Sequence, residues 1–343
     1  MGISFVNRLD EEARNLLLAV ARPVSYVKGA QLVRYGEPSR GAYLVNSGAA
    51  EATVTLPGGE TLRVAALAGG DVFGETSLIE RGTCTATVKA TRGLDGWFIE
   101  RDDFRSLVAQ RVPAALRVQH ALTLGLSDKL RALNARLLEV HAPEDREASR
   151  ATPDCVAGVQ RMKKPPFDVR AFLPLLPVFE GFDAAEIEEI TAVSAYLDLR
   201  RGHGVFAFGQ ASDACFIVVR GAVEIRGRHG ARERRLAVLG PGQLLGYMSA
   251  LERGTHGSDA VVREQALLLE IPRAAFEAIY FGASPASTKL HRAIQRSLLA
   301  SLGQTNRHLS RLISLARLRG SNKEGEDLEK ALGGQIVSAD RAA

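Results

Sequence analysis

Residues 73–90 decide the fold, and they read FGETSLIERGTCTATVKA. An apolar residue is followed by a glycine, a glutamate and a short run typical of a helix, and the segment ends in residues that favour a strand. Residues 244–262, LLGYMSALERGTHGSDAVV, repeat this order, and both segments contain Glu-Arg-Gly-Thr. The chain therefore builds one short structure twice.

The repeat extends outward from these segments. Residues 28–54 (KGAQLVRYGEPSRGAYLVNSGAAEATV) align with residues 201–225 (RGHGVFAFGQASDACFIVVRGAVEI). In both copies short apolar runs alternate with glycine-containing turns, which is typical of an antiparallel barrel or sandwich. The recurring glycines predict turns with a positive φ, which other residues adopt only under strain. The aligned pairs are Gly29 and Gly202, Gly36 and Gly209, Gly48 and Gly221, and Gly74 and Gly246.

Helices are predicted on both sides of each copy. A short helix enters each barrel, with Asp10 and Asp183 as N-caps. A long helix follows each barrel, and its apolar face packs either on the parent barrel or in a seam between subunits or between the copies. These faces carry Leu126, Leu130, Leu133 and Leu137 in the first helix, and Leu290, Ile294, Leu298, Leu302, Leu309, Ile313 and Ala316 in the second.

Length and composition agree with two globular domains. The chain has 343 residues, of which 46% are hydrophobic and 24% are charged, so each half can bury a core of its own. We expect the first copy over residues 1–140, a linker over 141–170, the second copy over 171–319 and a flexible tail over 320–343.

The segment at residues 73–90 resembles the phosphate-binding cassette of the cyclic-nucleotide-binding family, in which Phe-Gly-Glu, a small helix, an arginine and Ala-Thr-Val follow one another. That family includes the catabolite activator protein, the regulatory subunit of protein kinase A and cyclic-nucleotide-gated channels. The resemblance implies a mainly β fold with flanking helices: two tandem jelly-roll domains, each with a long C-terminal helix. We call residues 73–86 the first cassette and residues 245–258 the second cassette.

Cassette chemistry suits a cyclic phosphate. Backbone amides at a helix start bind an anion, and Gly74 permits close approach. In the family pattern a glutamate, here Glu75, accepts a ribose hydroxyl and an arginine clamps the phosphate; a carboxylate at a helix start also favours the helix dipole without any ligand. The candidate ligand-binding residues are Phe73, Gly74, Glu75, Thr76, Ser77, Cys84, Thr85 and Ala86, with Gly246, Tyr247, Met248, Ser249, His256 and Gly257 as second-copy equivalents.

Both copies depart from the family pattern. Cys84 stands at the arginine position of the first cassette, and a charge-assisted bond to phosphate contributes about 1.5–3 kcal/mol, or about ten- to a hundredfold in affinity. In the second cassette Tyr247 replaces the glutamate and His256 replaces the arginine. A charged histidine pairs with phosphate, whereas a loop histidine is more commonly a solvated side chain. We therefore expect weak binding or none in the first copy and a degenerate site in the second.

No catalytic residue or metal ligand is predicted. The seven histidines are scattered without a His-x-His pair, and no hydrolase, P-loop or kinase signature occurs. The leading hypothesis is a non-enzymatic regulatory or scaffold protein that senses a cyclic nucleotide weakly or not at all and acts through a protein partner. One alternative is a nucleic-acid-binding regulator of the catabolite-activator type without a recognisable helix-turn-helix, and another is an assembly protein with two ligand-free barrels.

Partners and location are expected as follows. No cofactor is expected, and cyclic AMP and cyclic GMP are the candidate ligands. The partner is a protein or a second copy of this chain, bound through the long helices. Nucleic acid is disfavoured because the arginines behind the net charge of +5 are spread along the chain. The absence of a membrane segment and the three distant cysteines, Cys84, Cys155 and Cys215, indicate the cytoplasm.

Overall fold

The chain divides into two compact units. The computed structural model describes residues 5–55, 61–139, 146–147, 156–165, 168–169, 171–230, 232–282, 284–318 and 336–337. We call Met1–Asp128 with Asn306–Ala343 domain 1, and Lys129–Thr305 domain 2. These boundaries differ from the predicted ones at 140 and 319, because the end of each long helix groups with the other copy's unit.

Domain 1 is a two-sheet antiparallel barrel with helices outside it. Its sheets have the strand orders β1-β8-β3-β6 and β16-β5-β4-β7-β2. A 3₁₀-helix at Phe5–Arg8 precedes α1 (Glu11–Val20), β1 (Ala21–Tyr26), β2 (Gln31–Val33), β3 (Gly41–Ser47), β4 (Ala49–Thr55), β5 (Thr61–Ala68), β6 (Val72–Phe73), α2 (Thr76–Ile79), β7 (Thr87–Ala90), β8 (Leu94–Glu100), α3 (Arg101–Ala109) and α4 (Pro113–Glu139), and β16 is Ile336–Val337.

Alternation along β3 separates two cores in domain 1. Val45 packs inside the barrel, where Tyr43 also packs. Ala42 and Leu44 face the other way and pack in the cluster that contains residues of α1, α3 and α4. The period-two pattern of a strand thus lets one sheet face both the barrel interior and the helices.

Domain 2 repeats this architecture with longer strands. Its sheet has the order β10-β15-β12-β13-β9, with β11 also on β15 and β14 on β12. The elements are β9 (Arg146–Glu147), 3₁₀-helices at Val156–Gly158, Leu173–Leu175 and Pro177–Phe179, α5 (Ala184–Ala192), β10 (Ala195–Leu199), β11 (Gly204–Phe206), β12 (Ala214–His229), β13 (Arg232–Leu239), β14 (Leu244–Leu245), α6 (Tyr247–Leu251), β15 (Asp259–Pro272), α7 (Arg273–Tyr280) and α8 (Pro285–Leu318).

The predicted positive φ angles are confirmed at all eight aligned glycines. At Gly48 φ is +90°, and a Cβ there would lie 1.9 Å from the carbonyl oxygen of Gly93. At Gly221 φ is +85°, and a Cβ would lie 2.1 Å from the carbonyl oxygen of Gln265. Gly48 and Gly221 therefore lie where the neighbouring backbone leaves no room for a side chain.

The predicted helix starts are confirmed. The Asp10 side chain accepts a hydrogen bond from the Ala13 amide at 2.8 Å, and Asp183 forms a reciprocal capping box with Glu186. The predicted apolar faces of the long helices are buried at seven positions and half-buried at Leu133 and Leu302, while the side chains of Ile313 and Ala316 lie outside the described residues. The seven buried positions are Leu126, Leu130, Leu137, Leu290, Ile294, Leu298 and Leu309.

Part of the predicted linker belongs to the core of domain 2. Val156 is 8% exposed and packs in the barrel cluster with Phe216 and Leu245. Met162 forms a β-bridge with Tyr196, and Arg161 makes two hydrogen bonds, of 2.6 and 2.8 Å, to the Glu270 carboxylate. Isolated apolar residues in a segment without periodicity thus contribute to a core.

Most of the predicted linker and tail lies outside the described residues. Two short strands within them are described: Arg146 and Glu147 pair with β13, and Ile336 and Val337 pair with β5. The prediction that residues 320–343 are flexible is not tested by this pairing.

Replacing Val156 by threonine places a hydroxyl in the domain 2 core at nearly unchanged volume. We expect a loss of about 1–3 kcal/mol in the free energy of unfolding of domain 2. Urea titrations followed by far-UV circular dichroism measure this loss, while fluorescence of Trp97, the single tryptophan, reports on domain 1. The matched control is Val193→Thr, at a 42% exposed position of domain 2, with an expected change within about 0.5 kcal/mol. Equal effects of the two substitutions would contradict the core position of Val156.

Candidate ligand-binding site

The first cassette begins at a backbone position that requires glycine. Gly74 has φ +71°, and a Cβ there would lie 2.9 Å from the carbonyl oxygen of Gly41. Phe73 before it is buried in the barrel interior, and α2 starts two residues after Gly74. The turn brings the backbone of the cassette against β3, as a close-approach site demands.

The polar residues of the first cassette are largely withdrawn from solvent. Glu75 is 7% exposed, and its carboxylate does not cap α2. Ser77 is 2% exposed and shares a hydrogen bond with the Ser39 hydroxyl. Thr76 between them is half-buried. The buried carboxylate is the one acidic side chain that this cassette brings toward the interior.

Backbone hydrogen bonds fix the arginine position of the first cassette. The Cys84 amide donates to the Glu37 carbonyl at 2.8 Å, and the Cys84 carbonyl accepts from the Gly36 amide at 2.9 Å. The Ser39 amide donates to the Gly82 carbonyl at 3.1 Å. The turn between β2 and β3 therefore holds the cassette loop whatever side chain stands at residue 84.

An aromatic cluster adjoins Cys84 on the interior side. Tyr43 stacks on Phe73 with ring centroids 4.9 Å apart, and its centroid lies 4.8 Å from that of Phe98. Burial first, then Tyr26 and the Cys84 thiol, raise the pKa of Tyr43 well above its ordinary value. Cys84 is half-buried beside this cluster and contributes no positive charge.

The remaining residues of the first cassette divide between interior and surface. Ala86 packs against the barrel cluster, whereas Thr85 is exposed. Arg81 lies in the same loop and pairs with Asp102 of α3 at 3.7 Å, with both side chains largely exposed. Its guanidinium therefore pairs with α3 at the surface of domain 1.

The second cassette keeps the turn and directs its first side chain elsewhere. Gly246 has φ +78°. Tyr247 is 5% exposed, and its hydroxyl donates to the Ser297 hydroxyl of α8 at 3.4 Å. Burial raises the pKa of Tyr247 to about 12. The residue at the glutamate position thus serves the packing of α8 in domain 2.

His256 is a packed core residue. Its ring stacks on Phe206 with centroids 3.8 Å apart and an interplanar angle of 8°, and the residue is 4% exposed. Burial lowers the pKa of His256 to about 4, against an opposing effect of Asp213. The imidazole is therefore neutral at pH 7. The hypothesis of a solvated loop side chain is wrong, because the residue is buried in an aromatic stack. The hypothesis of a phosphate-binding residue stays a prediction.

The other second-cassette candidates offer little polar surface. Ser249 is buried, Met248 is half-buried, and Gly257 is exposed with open space where a side chain would stand. A Cβ on Gly246 would be 3.5 Å from both His256 Cε1 and Phe206 Cε1. The Gly246 turn, His256 and Phe206 thus pack closely against one another.

The sequence reasoning missed Tyr43, Tyr26 and Phe206. These aromatic residues lie in strands, where they read as ordinary core positions. Alignment of the two copies places Phe206 opposite Val33, and this larger residue next to His256 is the sequence signal that distinguishes the second copy.

The described part of the chain contains neither a membrane-spanning helix nor a metal-binding cluster. Within it, no helix combines the length and the apolar character needed to cross a membrane. The same residues contain no group of three or more histidine, cysteine or acidic side chains arranged to hold a metal ion.

These observations define the class of protein. Each domain is a small antiparallel barrel with flanking helices, and a glycine turn opens a short helix at the edge of its interior. The chain belongs to the cyclic nucleotide-binding domain family: the family model matches residues 23–111 and 196–282, together just over half of the sequence. The predicted tandem architecture is confirmed.

Known proteins resemble this chain in part. A CRP-like cAMP-activated global transcriptional regulator from Mycobacterium tuberculosis is 28% identical over 179 residues, which cover 48% of this chain and 80% of that protein. The cyclic AMP receptor protein of Thermus thermophilus is 36% identical over 101 residues, or 28% of this chain and 45% of that protein. The regulatory domain of Toxoplasma gondii PKA, crystallised with cAMP, is 17% identical with a TM-score of 0.32, and the match covers 88% of this chain and 92% of that one.

Protonation of His256 should destabilise domain 2. The folded pKa of about 4 lies below the ordinary 6.5, so the unfolded state binds more protons between these values. The neutral His256 ring makes its full contribution to the stability of domain 2 above pH 6.5. This contribution is lost as the pH falls toward 4, and the free energy of unfolding decreases by about 3 kcal/mol in all.

The variant His256→Phe keeps an aromatic ring against Phe206 and removes the titration. We expect urea titrations between pH 4 and 7 to show a flatter pH dependence for this variant than for the wild type, with similar stability at pH 7. Titration of the imidazole by NMR gives the pKa directly. An imidazole pKa near 6.5 in the folded protein would refute the buried, neutral state.

Proposed function

We propose that this chain is a non-enzymatic regulatory or scaffold protein. Its domain 1 binds a cyclic nucleotide weakly or not at all, its domain 2 binds none, and it acts through a protein partner. Membership of a family of regulatory ligand-binding domains supports the first part. The observation that carries the rest is the lack of a guanidinium at both arginine positions, residues 84 and 256.

Charge decides the expected affinity of domain 1. A cyclic phosphate entering the first cassette would meet the buried Glu75 carboxylate and the Cys84 thiol in place of a cation. Backbone amides at the Gly74 turn still offer hydrogen bonds, but the charge-assisted contribution of about 1.5–3 kcal/mol is missing. Affinity about ten- to a hundredfold below that of an arginine-containing cassette follows.

Shape decides the expected behaviour of domain 2. The His256 ring covers Phe206 at stacking distance, and Val156 packs into the same barrel cluster as Phe206. Tyr247 is engaged with Ser297 and offers no carboxylate to a ribose. A nucleotide would have to displace a packed aromatic pair without gaining an ion pair, which is unfavourable on both counts.

Exposed aromatic residues support a protein partner. Tyr35 and Phe208 occupy aligned positions, and they are 58% and 55% exposed. The Tyr35 amide donates to the Thr87 hydroxyl at 3.1 Å, and the Phe208 amide donates to the Asp259 carboxylate at 2.9 Å. A large apolar side chain held out on a fixed backbone is typical of interface residues.

We place the protein in the cytoplasm on the basis of its cysteine usage.

Calorimetry on the full chain tests the ligand proposal. Wild-type protein titrated with cyclic AMP or cyclic GMP should show at most one site, with an affinity weaker than about 10 μM. Cys84→Arg restores the missing cation on a backbone that is already fixed, and it should tighten binding by about ten- to a hundredfold.

The control is Val27→Arg, which adds the same charge at a 78% exposed position of domain 1 outside the cassette and should leave the affinity unchanged within about threefold. Two wild-type sites, or submicromolar affinity, would overturn the proposal. A steep fall of DNA affinity with rising salt, with a specific site, would instead favour the nucleic-acid alternative.

A further inference from the structure

The end of α4 lies on the β12–β13 strands of domain 2 at a glycine. A Cβ on Gly227 would lie 2.6 Å from Leu138 Cδ1 and 3.0 Å from Leu138 Cδ2. Leu138 belongs to the last turn of α4, and residues from Lys129 onward group with domain 2. The missing side chain at Gly227 therefore forms the seat for a leucine of this helix.

A buried arginine receives the C-terminus of the helix. Arg234 of β13 is 2% exposed, and its guanidinium donates to the Leu137 carbonyl. The last carbonyls of a helix have no partners within the helix, and a cation at this end is favoured by the helix dipole. Burying a guanidinium is costly unless its hydrogen bonds are made, so this contact depends on the helix being in place.

The same helix reaches the second cassette. Arg131 pairs with Glu252 at 2.6 Å, and Glu252 is the first residue of the repeated Glu-Arg-Gly-Thr. Three residues after Arg131, Asn134 accepts a hydrogen bond from the Thr305 hydroxyl at 3.2 Å. One helix turn thus contacts both the cassette and α8 within domain 2.

We propose that residues 129–139 are an internal ligand of domain 2, and that the second cassette has become a docking element for this helix. The acceptor surface consists of Gly227, Arg234 and Glu252, which offer a notch for an apolar side chain, a cation for the helix end and an anion for Arg131. The helix therefore sets the position of the cassette, and a nucleotide does not.

Hydrogen exchange of the full chain, read by mass spectrometry, tests this assignment. Arg234→Met keeps a long apolar side chain and removes the donor to Leu137. We expect exchange about ten- to a hundredfold faster in residues 129–139 and 246–257, and unchanged exchange in β15. Millimolar cyclic AMP should leave exchange of residues 246–257 unchanged in the wild type.

A charge exchange tests the cassette contact separately. Arg131→Glu and Glu252→Arg should each speed exchange of residues 246–257 by about two- to fivefold, and the double variant should restore the wild-type rate. The matched control is Arg253→Met, which removes the bonds of 2.9 and 3.1 Å to Glu277 of α7 and should leave residues 129–139 unchanged.

Three results would overturn the assignment. The first is unchanged exchange of residues 129–139 in Arg234→Met, and the second is equally faster exchange throughout domain 2, including β15, which would make Arg234 an ordinary core residue. The third is protection of residues 246–257 by cyclic AMP. Failure of the double variant to restore the wild-type rate would remove the cassette from the docking surface.

Discussion

Both cassettes depend on one backbone ladder. In domain 1 the Cys84 amide donates a hydrogen bond to the Glu37 carbonyl at 2.8 Å, and the Cys84 carbonyl accepts one from the Gly36 amide. In domain 2 the His256 amide donates to the Gln210 carbonyl at 2.8 Å, and the His256 carbonyl accepts from the Gly209 amide. Because these bonds involve no side chain, the loop keeps its place whatever residue stands there. The backbone position of the cassette loop therefore does not depend on the side chain at residue 84 or 256. A substitution there disturbs the fold little.

The two copies differ in how they use that freedom. Cys84 remains half-buried beside Tyr43, so the first position loses its charge without being filled by a large group. His256 lies flat on Phe206, and the ring is held neutral by its burial. The first change lowers the electrostatic attraction for an anion, whereas the second replaces a cation by a packed, neutral ring. The proposed weak binding in domain 1 and the proposed lack of binding in domain 2 are thus both compatible with one cassette backbone.

Structural features that recur in both copies were predicted from the sequence, whereas features of a single copy were missed. Glycine spacing located the turns, and the order of residues 73–90 identified the family, because both reflect local backbone demands that recur in each copy. Val156 was not recognised as a core residue, since an isolated apolar residue in a segment without periodicity gives no pattern. Phe206 was not singled out, because an aromatic residue in a strand reads as an ordinary core position. The packing of Leu138 against Gly227 was not predicted either, because the two residues are distant in the sequence.

A cassette without a ligand still needs something to hold it. In domain 2 the Glu252 carboxylate meets Arg131, and the buried Arg234 meets the end of the same helix. If a nucleotide held the cassette in place, the position of the cassette would depend on the nucleotide concentration. A helix of the same chain is instead always present at a very high effective concentration. The proposed loss of nucleotide binding at Tyr247 and His256 is then compatible with an ordered cassette, since the stabilising contact comes from within the chain.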